Sequence, residues 1–186
     1  MEKINKSPIA QLIKDRRAVK KGYNETYVEE ALVKKLLEAA SWAPNHGMRE
    51  PWRFVFVDKN QLPHFAKEVA ATYPEDMQEN RENYLNEPNA ILVVIMEEPE
   101  MQKQWDENFG GTAALIQNFW LLAWEQELGV CWKTNPHIYN PEVEKIVGVN
   151  ENERIVAFVH LGYFDEQPED KGRSSIDVKF STYQGS

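Results

Sequence analysis

The stretch from Trp105 to Leu128 constrains the fold more than any other part of this sequence. It has helical spacing, and its apolar residues fall on more than one side of the helix, with Phe119, Trp120, Leu121, Leu122, Ala123 and Trp124 in unbroken succession. A surface helix needs only one apolar stripe, whereas a helix that is apolar on several sides has to be covered on several sides. The rest of the chain is therefore expected to pack around this element. Gly129 follows it and reads as the left-handed residue that caps it.

The other elements follow from period and punctuation. Ala90 to Met96 is a β-branched run behind Pro88-Asn89 and reads as a buried strand. Arg53 to Asp58, Val130 to Thr134 and Arg154 to Leu161 read as three more. Ser7-Pro8 is an N-cap followed by proline at the first helical position. The helix it opens carries Ile9, Leu12 and Ile13 on one face, and it is expected to run into Asp15-Arg16-Arg17 and end near Gly22. Leu32, Val33, Leu36, Leu37 and Ala40 mark a second helix that Pro44 closes. Gln61 to Tyr73 and Asp76 to Asn86 read as helices, the latter with mostly polar faces. Asn140-Pro141 starts another that ends near Gly148. Residues 163–186 form a polar tail, with core-forming power only in Ile176 to Tyr183.

This order lacks a strict βαβ alternation. No GxGxxG follows a strand and no GxxxxGK[ST] occurs, so a dinucleotide-binding or phosphate-loop fold lacks its central evidence. An α+β sandwich fits instead, with a sheet flanked by helices and the long helix in the middle. The length of 186 residues suits one domain, residues 1–186. A net charge of -9 repels a nucleic-acid backbone and an anionic membrane surface. One cysteine, Cys131, makes no intrachain disulfide. The N-terminus shows no apolar signal core, and the longest apolar runs are too short to span a bilayer. A cytoplasmic protein is the expectation.

Three constellations could carry chemistry. Arg16-Arg17-Ala18-Val19-Lys20-Lys21 concentrates cations in an acidic chain; arginine forks suit phosphate oxygens and lysine adds a mobile charge, although cations also complement a helix C-terminus. Ala43-Pro44-Asn45-His46-Gly47-Met48-Arg49-Glu50-Pro51-Trp52 is a loop bracketed by prolines, able to present side chains to a ligand or to serve as an ordinary turn. Gly129-Val130-Cys131-Trp132-Lys133-Thr134 offers backbone N–H groups, an aromatic and a cation at a strand end. The four histidines, His46, His64, His137 and His160, have no ligand spacing, so no metal is expected. Cys131 could pair with His137 or His160 as a nucleophile, but a free cysteine beside Val130 and Trp132 reads better as a small buried hydrophobe.

The order of the three constellations, with the long helix between the second and third and Phe158 to Tyr163 (FVHLGY) after them, resembles the FMN-dependent nitroreductase family. The likeness runs from Ile9 to about Tyr183 and is nearest to the short bacterial branch with an APNH-type loop. It implies a nitroreductase-like three-layer sandwich with a mostly antiparallel sheet, and a homodimer with the flavin at the interface. The C-terminal segment would be exchanged between subunits, and Phe119 to Trp124 would serve both core and interface. By the same resemblance Arg16, Arg17 and Arg173 would meet the FMN phosphate region. Ala18 stands where a serine is usual and lacks its hydroxyl. Lys20 would sit near flavin N1 and O2. Trp42, Pro44, Asn45 and His46 would reach the flavin from the partner subunit. Trp132, Lys133 and Thr134 would approach N5 and O4. The implied activity is ping-pong transfer from NADH or NADPH to a planar electron-poor small molecule, such as a nitroaromatic or quinone. No protein acid or base is required, because the cofactor carries the chemistry. A flavin-binding sensor or reservoir with little turnover is the alternative, kept open by Ala18.

Overall fold

The computed structural model describes residues 6–185. Its centre is a four-stranded sheet in the order β1-β2-β4-β3, with β1 Trp52–Val57, β2 Ala90–Glu97, β3 Leu128–Lys133 and β4 Glu153–Tyr163. Every neighbouring pair is antiparallel. The helices are α1 Pro8–Asp15, α2 Glu30–Ala40, α3 Leu62–Ala70, α4 Glu75–Asn86, α5 Gln102–Glu125 and α6 Pro141–Val147, with short 3-10 turns at His46–Met48, Pro136–Tyr139 and Ile176–Val178.

Strand alternation sorts the core into two layers of packing. On β2, Leu92, Val94 and Met96 face a cluster built with Val33 and Leu36 of α2 and Leu115, Ile116 and Phe119 of α5. Ile91, Val93 and Ile95 point the other way, into a cluster with Phe65 and Val69 of α3, Leu85 of α4 and Val143 of α6. Helices thus cover both faces of an antiparallel sheet, which makes the molecule an α+β sandwich. The long central helix is present as expected. Asn108, Gly111, Thr112, Leu115, Ile116, Phe119 and Ala123 form its buried stripe. Ala113, Trp120, Leu121 and Trp124 on another side are only half-buried, and Gln117 between them is exposed.

Two expectations need correction. The first helix stops at Asp15, and Arg16 is already extended with φ -56 and ψ 129. The helix does not reach Gly22, because Ala18 pairs in parallel with Val130 of β3 and the Val19 N–H donates to the Val130 carbonyl at 3.2 Å. The second correction concerns Gly129, which does not cap the long helix. Glu127 takes the left-handed conformation there, with φ 57. Gly129 lies inside β3, where an added Cβ would stand 2.7 Å from the Gly162 carbonyl and 2.8 Å from Val19 Cβ. Its role is close approach of backbones, not a turn. In the tail, Ile176, Val178, Phe180 and Tyr183 are all exposed.

Candidate functional site

The basic run after α1 becomes a cradle because the chain leaves the helix at Arg16. The Arg16 guanidinium stacks on the Trp120 ring, 4.2 Å from its centroid, and the Trp120 Nε1–H donates to the Arg17 carbonyl at 3.2 Å. The Arg17 fork is fixed by Nη1 donating to the Lys14 carbonyl at 2.5 Å and by Nη2 pairing with Asp170 at 2.9 Å. What remains is informative: Arg16 Nη1 and Arg17 Nε are buried and have no hydrogen-bond partner. Burial depresses the Arg16 pKa, and the charges of Arg173 and Arg17 depress it further. Arg173 of the tail thus acts electrostatically on Arg16 within the same chain. Two arginines with unfilled buried donors and the charge of Arg173 acting on one of them, in a chain of net charge -9, suit an anionic oxygen group.

Ala18 and Lys20 continue from this cradle along the edge of β3. Lys20 is exposed and acts electrostatically on Cys131. Trp132 faces the α2–α5 side, and its Nε1–H is buried without a partner. Lys133 points to the opposite face, where its ammonium lies 5.1 Å from the Tyr84 ring centroid. Thr134 is exposed just beyond the strand. Cys131 is buried and directly opposite His160 in the β3–β4 register. Burial pushes its thiol pKa up, which argues against a thiolate nucleophile.

The proline-bracketed loop lies elsewhere. Asn45 packs against Gly111 of α5, where an added Cβ would come 3.0 Å from Asn45 Cβ. His46 Nδ1 stands 3.7 Å from Glu107, and Arg49 also pairs with Glu107. Met48 and Glu50 both take positive φ, 49° each, so the loop is held in a strained shape. Trp42 at its entrance is 90% exposed, and Pro44 carries the backbone past Gly111. Gly111 and Trp120 are nine residues apart on one helix. At about 100° and 1.5 Å per residue, that spacing puts them roughly half a turn out of phase and about 13 Å apart along the axis. The structure thus gathers Arg16, Arg17, Ala18, Lys20 and Arg173 with the β3 end, and keeps Trp42, Pro44, Asn45 and His46 apart from them.

Sequence reasoning passed over Trp120 and Asp170, which shape the cradle, and Arg81 on the other face of the sheet. Trp120 was hidden in an apolar run. Asp170 lies in a tail without periodicity. Arg81 had a usable signal, being the only cation in α4 among Glu75, Asp76, Glu79 and Glu82. Among the described residues no group of three or more His, Cys, Asp or Glu is placed to hold a metal, and no helix is long and apolar enough to cross a membrane.

A sheet with helices on both faces carries, at one edge, arginine donors left unfilled. The sequence profile of the nitroreductase family matches residues 13–163, and the chain belongs to that family. It is 35% identical over 183 residues to the Bacillus subtilis (strain 168) protein YfhC, whose NAD(P)H nitroreductase designation is itself provisional; the match covers 94% of each chain. It is also similar to the crystal structure of a nitroreductase-like family protein from Bacillus cereus, with a TM-score of 0.90, 37% identity and coverage of 96% of this chain and 97% of the other. A nitroreductase-fold protein from Desulfovibrio desulfuricans, solved in complex with FMN, shares the fold at a TM-score of 0.76 and 18% identity, covering 97% of this chain and 99% of the other.

Proposed function

We propose that this protein is an FMN-dependent oxidoreductase that uses NADH or NADPH to reduce planar electron-poor small molecules, and that it works as a homodimer. The observation that carries the reading is the pair of buried, unpartnered donors Arg16 Nη1 and Arg17 Nε beside Arg173, a donor set suited to a phosphate monoester. Family membership and the FMN held by a relative of the same fold support the choice of cofactor.

FMN held there would supply two-electron chemistry between NAD(P)H and a quinone or nitroaromatic. The protein's part is positional and electrostatic. Arg16, Arg17 and Arg173 hold the phosphate. Lys20 would supply positive charge to the flavin, which favours added electrons. The extended backbone at Trp132, Lys133 and Thr134 presents N–H groups at the strand end. Ala18 adds no hydroxyl, so one hydrogen bond to the phosphate is absent compared with a serine.

Two features support assembly from two chains. The Trp42–His46 loop stands about half a helical turn away from the cradle, so in one chain it has no role at the cradle. Trp42, Met48, Ile9 and Ile13 are exposed, as are Ile176, Phe180 and Tyr183 of the tail, and a partner subunit would cover them. In this reading Trp42, Pro44, Asn45 and His46 complete the partner's site, and the tail crosses to the partner's sheet.

An absorbance spectrum of the purified protein, followed by anaerobic NADPH and then NADH, tests the activity. Flavin bands that bleach and then return on adding a quinone are the expected result. Bands that stay unbleached would favour the sensor or reservoir role left open by Ala18. Neither flavin nor uptake of added FMN would overturn the reading. Sedimentation of the wild type and of Trp42→Ala tests the assembly, with a dimer expected for the former and a weaker one for the latter.

A further inference from the structure

On the face of the sheet opposite α5, a second group of basic side chains is left without counter-charge. Arg81 lies over the Tyr73 ring, 5.4 Å from its centroid, and its Nε is buried without a hydrogen-bond partner. Tyr84, one helical turn further along α4, lies under the Lys133 ammonium, 5.1 Å from its ring centroid, so Lys133 meets the face of α4 that also carries Arg81. Tyr84 donates to Asn135 Oδ1 at 3.0 Å, and the Tyr73 hydroxyl meets His137 Nδ1 at 2.9 Å. His137 and His160 are buried, and His137 Nε2 and both ring nitrogens of His160 have no partner.

The charge balance here is one-sided. The titratable groups gathered here are Arg81 and Tyr84 of α4, Tyr73 just before it, Lys133 of β3, His160 of β4 and His137 of the Pro136–Tyr139 turn, with Cys131 beside Lys133. Among the described residues no carboxylate lies within ion-pair distance of Arg81 or Lys133. Four carboxylates share α4 with Arg81, yet none pairs with it. Burying cationic donors without a partner is costly, and sites that persist in this state commonly receive an anion from a ligand. Lys133 also belongs to the β3 end that the flavoenzyme reading assigns to the isoalloxazine, so the basic group borders the place where an oxidant would bind.

We propose that Arg81, with Lys133, forms an anion-recognising subsite that selects oxidising substrates carrying a carboxylate, such as carboxylated nitroaromatics or quinones. The proposal rests on the flavoenzyme reading for the chemistry, though not for the binding. The carboxylate is unchanged in the reaction. For a quinone, NAD(P)H and one proton from solvent supply the two electrons and two protons that give the hydroquinone and NAD(P)+. Arg81 contributes a fork matched to two carboxylate oxygens, Lys133 a second positive charge, and Tyr73 and Tyr84 flat apolar surface.

Calorimetric titration of the protein as purified with benzoate and with benzamide tests the subsite directly. Benzoate should bind at least tenfold tighter than benzamide. Arg81→Gln should erase the preference, and Arg81→Lys should keep part of it, which also guards against a folding defect in the glutamine variant. Where the protein turns over, the ratio of kcat/KM for 4-nitrobenzoate to that for its methyl ester should fall at least tenfold in Arg81→Gln. Equal binding of benzoate and benzamide by the wild type, or an unchanged preference in Arg81→Gln, overturns the proposal. A protein that prefers benzoate through Arg81 but takes up no FMN would keep the subsite and sink the flavoenzyme reading. An FMN-loaded, active protein with no preference would do the reverse.

Discussion

Acid should destabilise this protein through two histidines. Burial, then Arg81, depresses the His137 pKa from 6.5 to about 4, and burial, then Lys133 and His137, depresses that of His160 to about 3. Both are neutral in the fold and charge readily once unfolded. The unfolded chain therefore binds more protons than the native one below pH 6.5, and stability falls as pH falls through that value toward the folded pKa values. At pH 5 each histidine should have removed about 2 kcal/mol relative to pH 7.5, or about 4 kcal/mol for the pair. That is a large share of the 5–15 kcal/mol typical of a folded domain. Glu153, held down to about 2 chiefly by its hydrogen bond from Arg53, contributes in the same direction but only below its ordinary value of 4.5. Urea unfolding at pH 7.5 and 5.0, at fixed protein concentration, reads the difference. His160→Leu should shrink it by about half, since one titration is removed and the Tyr84 contact stays apolar. A wild-type difference below about 1 kcal/mol, or one unchanged in His160→Leu, would refute the reasoning.

Three further outcomes follow from the site and its scaffold. Arg16→Gln should weaken FMN binding roughly 10- to 100-fold, the worth of about 1.5–3 kcal/mol for a charged hydrogen bond, and leave riboflavin binding unchanged; fluorescence quenching of the two flavins checks this. Ala18→Ser should restore the missing hydroxyl and tighten FMN about tenfold in the same assay. Gly129→Ala should cost about 1–3 kcal/mol, because the new methyl meets the Gly162 carbonyl and Val19, and thermal unfolding would show a lowered Tm.

Elements whose evidence is local were readable in the sequence. The β-branched run at Ala90 to Met96 became β2, one residue longer, and the Ser7-Pro8 and Asn140-Pro141 starts carry the caps assigned to them. Gly148, read as the end of the last helix, is its left-handed cap with φ 69. Where the chain obeys a distant partner, local reading fails. Arg16 to Lys21 has ordinary helix propensity, and only pairing with Val130 draws it into an extended path. Gly129 looks like a cap from its neighbours alone; its reason is Gly162, which lies across a strand pair. At the site, the cation run was visible as composition. The Trp120 platform, the clamp from Asp170 and the unpaired state of Arg81 depend on side chains far apart in sequence, which no window of neighbouring residues contains.

The parallel pairing of Ala18 with Val130 has a consequence for solubility. A sheet in the order β1-β2-β4-β3 has two open sides, and the β3 side is bridged at its middle, Val130, by the same short segment that carries the arginines. If that segment detached, Val130 would lose its outer partner and β3 would offer an unbroken apolar edge onto which another chain could add. Anything that holds Arg16 and Arg17 in place therefore also guards the molecule against aggregation. Handling the protein without an anionic ligand, or crippling the cradle by mutation, should show first as precipitation on gentle warming, before the core itself melts.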